Sequence, residues 1–378
     1  MNDYAIVTVG DHAPWFKARS PSNPRYVFNT AGGRWILMAF IGSAGSEVGA
    51  AMWAAAQAMR PLFDDDRIAF FGATMDPRDE AQPRVAQSMP GVRWFWDFEG
   101  EIHKLYGAAP ESWTPSQSQV ELRPMWVLLD PTMRVAAVFQ TGAAAAPEIR
   151  KRLEALPPVD SFAGTPLQAP VLYLPNVFEP ELCESLIDAY RTAGGETSGF
   201  MVERDGKTHL AFDDSHKRRR DHLLDDQNLV EATRVRIRRR IANEIKKVFQ
   251  FDVTRMERYL VACYSEEEQG HFRAHRDNTT PGTAHRRFAV SINLNSEFEG
   301  GQIGFPEYGR RTFKPPPGGA VVFSCSLLHF VTPVTKGDRY AFLPFLYDDA
   351  AAAIREANNP TLVGTTPYDA GAGKAATG

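Results

Sequence analysis

The chain has 378 residues, of which 43% are hydrophobic and 23% charged, with a formal net charge of −4. That length exceeds one ordinary domain and makes two the natural division, each able to bury its own core. The mild acidity gives no electrostatic reason to expect nucleic acid or a membrane surface as partner, and no run approaches the ~20 uninterrupted apolar residues of a spanning helix. The opening MNDYAIVTVGDHAPWF has no basic stretch followed by an apolar one, so the expected location is the cytoplasm. The cysteines, Cys183, Cys263 and Cys325, are few and lie in apolar neighbourhoods. They read as buried thiols in a reducing compartment rather than a disulfide framework.

Residues 1–155 alternate strand-like and helix-like runs. RWILMAFIG (34–42) and RIAFFGATMD (67–76) are candidate buried strands. Between them SEVGAAMWAAAQAMRPLF (46–63) is alanine-rich and helical, with Ser46 as its N-cap. PMWVLLDPTMRVAAVFQTG (124–142) reads as two strands joined at DPTM. Short connections between such elements argue for an open α/β sheet covered on its faces.

These positions resemble the redoxin/peroxiredoxin family on the thioredoxin fold. The matching pieces are GDHAPWF, the strand-to-helix junction after Phe40, the ATMD strand end, WDFEGEIHKLYG and RPMWVLLDP. The resemblance implies a thiolate at the start of the helix after Phe40, and this chain offers Ser43, Ser46 and Gly49 there instead. A serine hydroxyl is neither acidic nor readily oxidised, so this half is expected to be catalytically silent. Arg123 and Pro124 match the family's arginine and cis-proline positions. The roles left to it are docking, dimerisation (a homodimer through this half) or substrate presentation.

Residues 156–169 are rich in proline, glycine and small residues and read as a linker. From 170, PVLYLPNVF is strand-like, and EPELCESLIDAYRTAG follows as a helix with Leu182, Leu186, Ile187 and Tyr190 on one face. The charged run Lys217 to Arg220 reads first as a solvated loop, with a grip on an acidic substrate segment as the alternative. NLVEATRVRIRRRIANEIKKVF (228–249) reads as one helix burying Val235, Ile237, Ile241, Ile245 and Val248, its arginines on the solvated face.

The most informative stretch runs from Arg258 to Asp349. His275 and Asp277 sit two apart in an extended-looking segment, which places both side chains on one face. A third ligand candidate, His329, closes the apolar run AVVFSCSLLHF. Two imidazoles and one carboxylate with other positions left open are the ligand set that suits non-haem Fe(II). Arg339, in RYAFLPFLY, has the planar fork that clamps a carboxylate of a dicarboxylic co-substrate. Strand parity adds His271 and Arg273 to the ligand face and Val331 beside His329. Phe305, Phe323 and Phe345 are expected in the core.

In these residues the chain resembles the prolyl-4-hydroxylase-type 2-oxoglutarate/Fe(II) dioxygenases: the VACY strand, the NLN strand, the paired glycines Gly300 and Gly301, and the lead-in VLYLPNVFEPELCESLIDAY. The resemblance covers 170–349 and implies a double-stranded β-helix (jelly roll) with flanking helices. It implies Fe(II) on His275, Asp277 and His329, 2-oxoglutarate held by Arg339, Tyr264 and Asn293, and ascorbate as a further requirement. The implied reaction hydroxylates an unactivated C–H bond of a prolyl or other peptidyl substrate, an amino acid or another small molecule, with release of succinate and CO2. An intact Asp277 points to hydroxylation over halogenation, and Arg219 and Asp221 become candidates for substrate contact.

Two competing functions remain: a non-catalytic interaction module built on both halves, and a thiol peroxidase, which lacks its cysteine. The segment 350–378 turns Ala-, Gly- and Thr-rich and is expected to be a poorly ordered tail.

Overall fold

The structure is a computed structural model and describes residues 3–117, 120–364 and 367–371. The chain divides into two compact units, one of residues 1–168 with 306–310 and the other of 169–305 with 311–378.

The first unit is a mixed sheet in the order Asn23–Val27, Lys17–Ser20, Val92–Trp96, Ile68–Thr74, Trp35–Gly42, Met125–Leu129, Val135–Phe139. Trp35–Gly42, Ile68–Thr74 and Val92–Trp96 run parallel at its centre. The first two are buried along their whole length, as expected of strands covered on both faces. Helix Glu47–Ala58 begins where the sequence places it, with Ser46 Oγ accepting from Gly49 N–H at 3.0 Å. The DPTM turn holds because the Asp130 carboxylate accepts from the amides of Thr132 and Arg134 while Met133 takes φ 62°. The α/β alternation read from the sequence is therefore present.

The linker is shorter than expected. Leu156 and Val159 are buried in the core of the first unit, and Trp35 Nε1 donates to Pro157 O at 3.1 Å. Apolar side chains inside a proline-rich stretch found a core to enter, and the unit boundary falls after Gln168.

The second unit is sheet-rich. Its larger sheet orders Arg255–Glu257, Phe345–Tyr347, Phe288–Asn293, Val334–Phe342, Leu260–Ser265, Arg220–Leu223 and Glu196–Thr197. Its smaller sheet orders Lys217–Arg218, His271–His275, His329–Val331, Ile303–Gly304 and Thr312–Phe313. Helix Pro180–Ala193 buries Leu182, Leu186, Ile187 and Tyr190 against the larger sheet's core. The expected single helix over 228–249 is instead Gln227–Ile237 and Asn243–Phe249 joined by a π-helical turn, Arg238–Ala242. The wider turn keeps Ile237, Ile241 and Ile245 buried, and Val248 ends up half exposed.

The tail also departs from expectation. Asp349–Ala357 is a helix, capped by Asp348 Oδ1 on Ala351 N–H at 2.8 Å and seated by Ala351 and Ala352 against Tyr347. Alanines with a good cap form a helix that small-residue composition had disguised. Of the rest of the expected tail, 365–366 and 372–378 lie outside the described residues. Among the described residues no helix is long and apolar enough to cross a membrane.

Candidate metal centre

The candidate site lies where the chain passes from one sheet of the second unit to the other. Leu260–Ser265 belongs to the larger sheet and His271–His275 to the smaller. The run AVVFSCSLLHF, read as one strand, is two: Ala320–Ser324 in the larger sheet and His329–Val331 in the smaller, with a turn between. That crossing sets His329 directly opposite His275 in an antiparallel pair.

The two imidazoles stand with ring centroids 4.2 Å apart. Asp277 sits in the turn after its strand, where its N–H donates to Cys325 O at 2.9 Å. Its carboxylate lies 3.5 Å from His275 Nε2 and 3.4 Å from His329 Nε2. One ligand atom from each residue lies within 4.8 Å of the others, which fits a single metal ion.

Both imidazoles are oriented by the backbone. Nδ1 of His275 meets Arg273 O at 2.7 Å, and Nδ1 of His329 meets Leu327 O at 3.1 Å. A carbonyl can only accept, so each Nδ1 carries the proton and each Nε2 is left as a lone pair for a metal. Burial, reinforced by His275, presses the His329 imidazole down to about 4, so it is neutral at pH 7. Burial raises the Asp277 carboxyl, but His329 and His275 outweigh it and hold the group well below the usual carboxylate range. The donor set is thus two imidazoles, each with Nε2 turned to the site, and a carboxylate, a set that suits a divalent ion.

A β-bulge corrects the expected ligand face. Phe272 pairs with Val331 and His275 with His329, so one extra residue sits on the first strand. Parity reverses there. Phe272 stacks on His275 with centroids 3.5 Å apart, and Arg273 faces solvent. His271 turns its Nδ1 to Gln269 O instead. Phe305, Phe323 and Phe345 are buried as expected, and Phe323 stands 4.6 Å from the His329 ring.

Arg339 lies opposite Tyr264 on the neighbouring strand and is 1% exposed. Its Nε donates to Asn293 Oδ1 at 3.0 Å and its Nη2 to Ser291 Oγ at 2.8 Å, while its guanidinium lies 5.1 Å from the Tyr264 ring. Among the described residues no carboxylate pairs with it. A buried guanidinium held only by neutral acceptors is poised for an incoming anion. Gly301, at φ 61°, makes room: a Cβ there would stand 2.9 Å from Arg339 Cδ.

Asn293 serves Arg339 from behind, because its Nδ2 also donates to Pro315 O at 2.8 Å. Ser291, which sequence reading missed, does the same. Its signal was available: it lies two residues before Asn293 on one strand and therefore on the same face.

The Lys217 to Arg220 run is not a solvated loop at its core. Lys217 and Arg219 are each 5% exposed. Arg219 clamps Asp221 through Nε at 2.7 Å and Nη2 at 2.6 Å, and its Nη1 reaches Tyr264 Oη at 3.3 Å. Lys217 Nζ donates to Ser198 Oγ at 2.7 Å and to Gly199 O at 2.6 Å.

In the first unit, the loop just ahead of helix Glu47–Ala58 is occupied by the chain's own groups. Ser43 Oγ donates to Asp76 at 2.6 Å and Ala44 N–H to Asp79 at 2.8 Å. The cysteines are all free and buried, and burial raises Cys183 to about 11 and Cys263 to about 12. The expected cis-proline position at Pro124 is not cis; the cis bond among the described residues is Met89–Pro90.

Residues 259–347 match the 2OG-Fe(II) oxygenase superfamily, so the C-terminal region carries a domain of that superfamily. Among curated relatives, a PKHD-type hydroxylase of Cupriavidus metallidurans is 37% identical over 95 residues, 22% of this chain and 42% of that protein. A second, of Paracoccus denitrificans, is 39% identical over 79 residues, 18% of this chain and 35% of that protein. The chain thus spans less than half the length of these relatives. Among solved structures, a viral collagen prolyl hydroxylase of Paramecium bursaria Chlorella virus-1 aligns at TM-score 0.36 and 16% identity, over 47% of this chain and 94% of that one. The peroxidoxin BcpB of Mycobacterium tuberculosis aligns at TM-score 0.33 and 13% identity, over 40% of this chain and 99% of that one.

Proposed function

We propose that the second unit is an Fe(II)- and 2-oxoglutarate-dependent dioxygenase that hydroxylates an unactivated C–H bond. The carrying observation is the oriented triple His275, Asp277 and His329, whose donor atoms gather within 4.8 Å. Iron(II) on this triple would supply the dioxygen chemistry that couples oxidation of 2-oxoglutarate to succinate and CO2 with insertion of one oxygen into the substrate C–H bond.

The chain's own residues do the positioning. Arg339, braced by Asn293 and Ser291, receives the co-substrate's distal carboxylate, and Tyr264 packs against the guanidinium. Phe272 and Phe323 shield the imidazoles from water. Two antiparallel sheets exchanging strands around the site support the jelly-roll reading, with ascorbate as a reductant that keeps the iron ferrous. A prolyl, peptidyl or free amino-acid substrate fits this class.

The first unit acts as a non-catalytic thioredoxin-like module for docking or dimerisation. The observation favouring this is that Ser43, Asp76 and Asp79 fill the loop ahead of the helix, where a thiolate would need free donors.

The test is anaerobic addition of Fe(II) and 2-oxoglutarate, read by the visible absorbance of the ternary complex, followed by succinate release in air. Both are expected in the wild type and neither in His275→Ala. Equal succinate release from the two proteins overturns the reading.

A further inference from the structure

Beside Tyr264, three basic side chains, Lys217, Arg219 and Arg258, gather around one carboxylate. Lys217 and Arg219 are buried, and Arg258 keeps 28% of its side chain exposed. Against them stands Asp221, which takes both ends of the Arg219 fork and also accepts from Arg258 Nη2 at 3.2 Å. Among the described residues no carboxylate is in contact with Lys217: its Nζ donates to a serine hydroxyl and a backbone carbonyl and stands over the Phe272 ring. An ammonium out of water without a counter-charge is costly, and such groups are normally paired. Burial, and then Arg219, accordingly hold the Lys217 amine well below its usual value, so the cluster on its own favours the neutral amine and an incoming carboxylate is what favours its protonation.

The location ties this cluster to the candidate centre. Lys217 Nζ lies 4.9 Å from the centre of the Phe272 ring, the same ring that stacks on His275. At its other end Arg219 reaches Tyr264, which packs against Arg339. The cluster therefore extends from the imidazoles to the co-substrate arginine. Phe200 and His216, with ring centroids 4.5 Å apart, form an aromatic wall beside Phe272. Arg258 is held at φ 65°, a left-handed conformation that a side-chain-bearing residue rarely adopts, and its guanidinium joins the cluster at the exposed edge.

We infer that Lys217, with Arg219 and Arg258 behind it, receives the carboxylate of the hydroxylated substrate, which is a free small-molecule carboxylic acid and not an internal residue of a polypeptide. This rests on the dioxygenase reading above. Arg339 takes one carboxylate of the co-substrate, and Lys217 is left to take a second, from the substrate. Once protonated, Lys217 has one N–H beyond its two hydrogen bonds, and Arg258 retains donors beyond Asp221.

The test uses the full-length iron-loaded protein and follows 2-oxoglutarate-dependent succinate release. The probes are the twenty free amino acids with their 2-hydroxy and unsubstituted analogues, the corresponding carboxamides, and short peptides carrying the same residues internally or at the C-terminus. The expected result is about tenfold stimulation by a free acid, with its carboxamide about 100-fold weaker in kcat/KM, as loss of a charge-assisted contact implies. In Lys217→Gln the acid-over-amide ratio falls towards one. Should that variant not fold by circular dichroism, Arg258→Gln, at the exposed edge, reports the same ratio. Stimulation by a peptide carrying the residue internally, by carboxamides as well as acids, or by no acid in the panel overturns the inference. So does stimulation confined to C-terminal peptides, which places the carboxylate on a macromolecule. A wild type that releases no succinate under any condition sinks the dioxygenase reading itself, which separates the two failures.

Discussion

His275 and His329 face each other across an antiparallel strand pair, and each turns its Nδ1 to the backbone carbonyl two residues before it. The lone pairs are therefore aimed before any metal arrives. Replacing Asp277 by Asn keeps the shape but removes the negative charge, and two imidazoles alone attract a divalent ion far less. Isothermal titration of the apo protein with Fe(II) under anaerobic conditions is expected to show at least ~100-fold weaker binding for Asp277→Asn, the scale on which removal of a charge in a metal site is felt.

The same burial makes the fold sensitive to acid. His329 falls from its ordinary 6.5 to about 4, so the unfolded chain takes up a proton on this residue at a pH where the folded chain does not. Stability is present above pH 6.5 and lost as pH falls towards 4, by about 3 kcal/mol at most. Asp277, held below its usual range, adds a loss of the same sign at lower pH. Urea unfolding of the apo protein between pH 7 and pH 4 checks this: His329→Gln is expected to flatten the slope between those limits.

Arg339 stands on a different footing, since its partners are neutral. Arg339→Ala is expected to raise the KM for 2-oxoglutarate severely while Fe(II) still binds. Ser291→Ala removes one of its two supports and is expected to raise that KM about tenfold, equivalent to about 1.4 kcal/mol, with kcat nearly unchanged. Parallel Fe(II) titrations and co-substrate saturation curves separate the two effects. Loss of iron together with co-substrate binding would assign Arg339 a structural role.

How much of this was legible beforehand follows from which contacts are local. Ser46 as a cap, the buried strand 34–42 and the spacing of His275 and Asp277 all depend on neighbours within a few residues, and the structure has each of them. The bulge between Phe272 and His275 depends on the register of a strand some fifty residues later, so parity alone put His271 and Arg273 on the wrong face. Lys217 and Arg219 looked solvated because nothing near them in sequence announces Ser198 and Tyr264, the partners that allow them to be buried. Composition likewise concealed the helix Asp349–Ala357, whose seat is Tyr347.

That helix supports a further prediction. Its Arg355 Nη2 lies 2.8 Å from Glu257 Oε2, and Arg286 Nε donates to Glu257 Oε1 at 2.7 Å. Arg286 Nη1 also reaches Asp277 O at 3.4 Å, so Glu257 braces the turn that carries a candidate ligand. Glu257 is itself buried, and Glu257→Gln leaves two part-buried guanidinium groups without their carboxylate; it is expected to cost about 3 kcal/mol in urea unfolding. Removing only Arg355, which is 26% exposed, is expected to cost about 1 kcal/mol.

The first unit supplies a test by restoration. Its fold places Ser43 just ahead of helix Glu47–Ala58, in the stretch after Phe40 where the redoxin resemblance of the sequence implies a thiol. A thiolate needs a positive environment and free amides to be stable. At this position the hydroxyl already donates to the Asp76 carboxylate, the neighbouring amide of Ala44 is taken by Asp79, and Asp79 is 0% exposed. Arg78 and Arg84 are turned onto these same carboxylates, at 2.9 Å from Asp76 and 3.5 Å from Asp79, so their charge is already engaged. Ser43→Cys is therefore expected to keep its thiol protonated at pH 7 and to leave hydrogen peroxide consumption, with excess dithiothreitol as reductant, at the level of the unmodified chain. Peroxide turnover rising with the single substitution would mean that the carboxylates yield their place readily, and that this unit is one residue from catalysis.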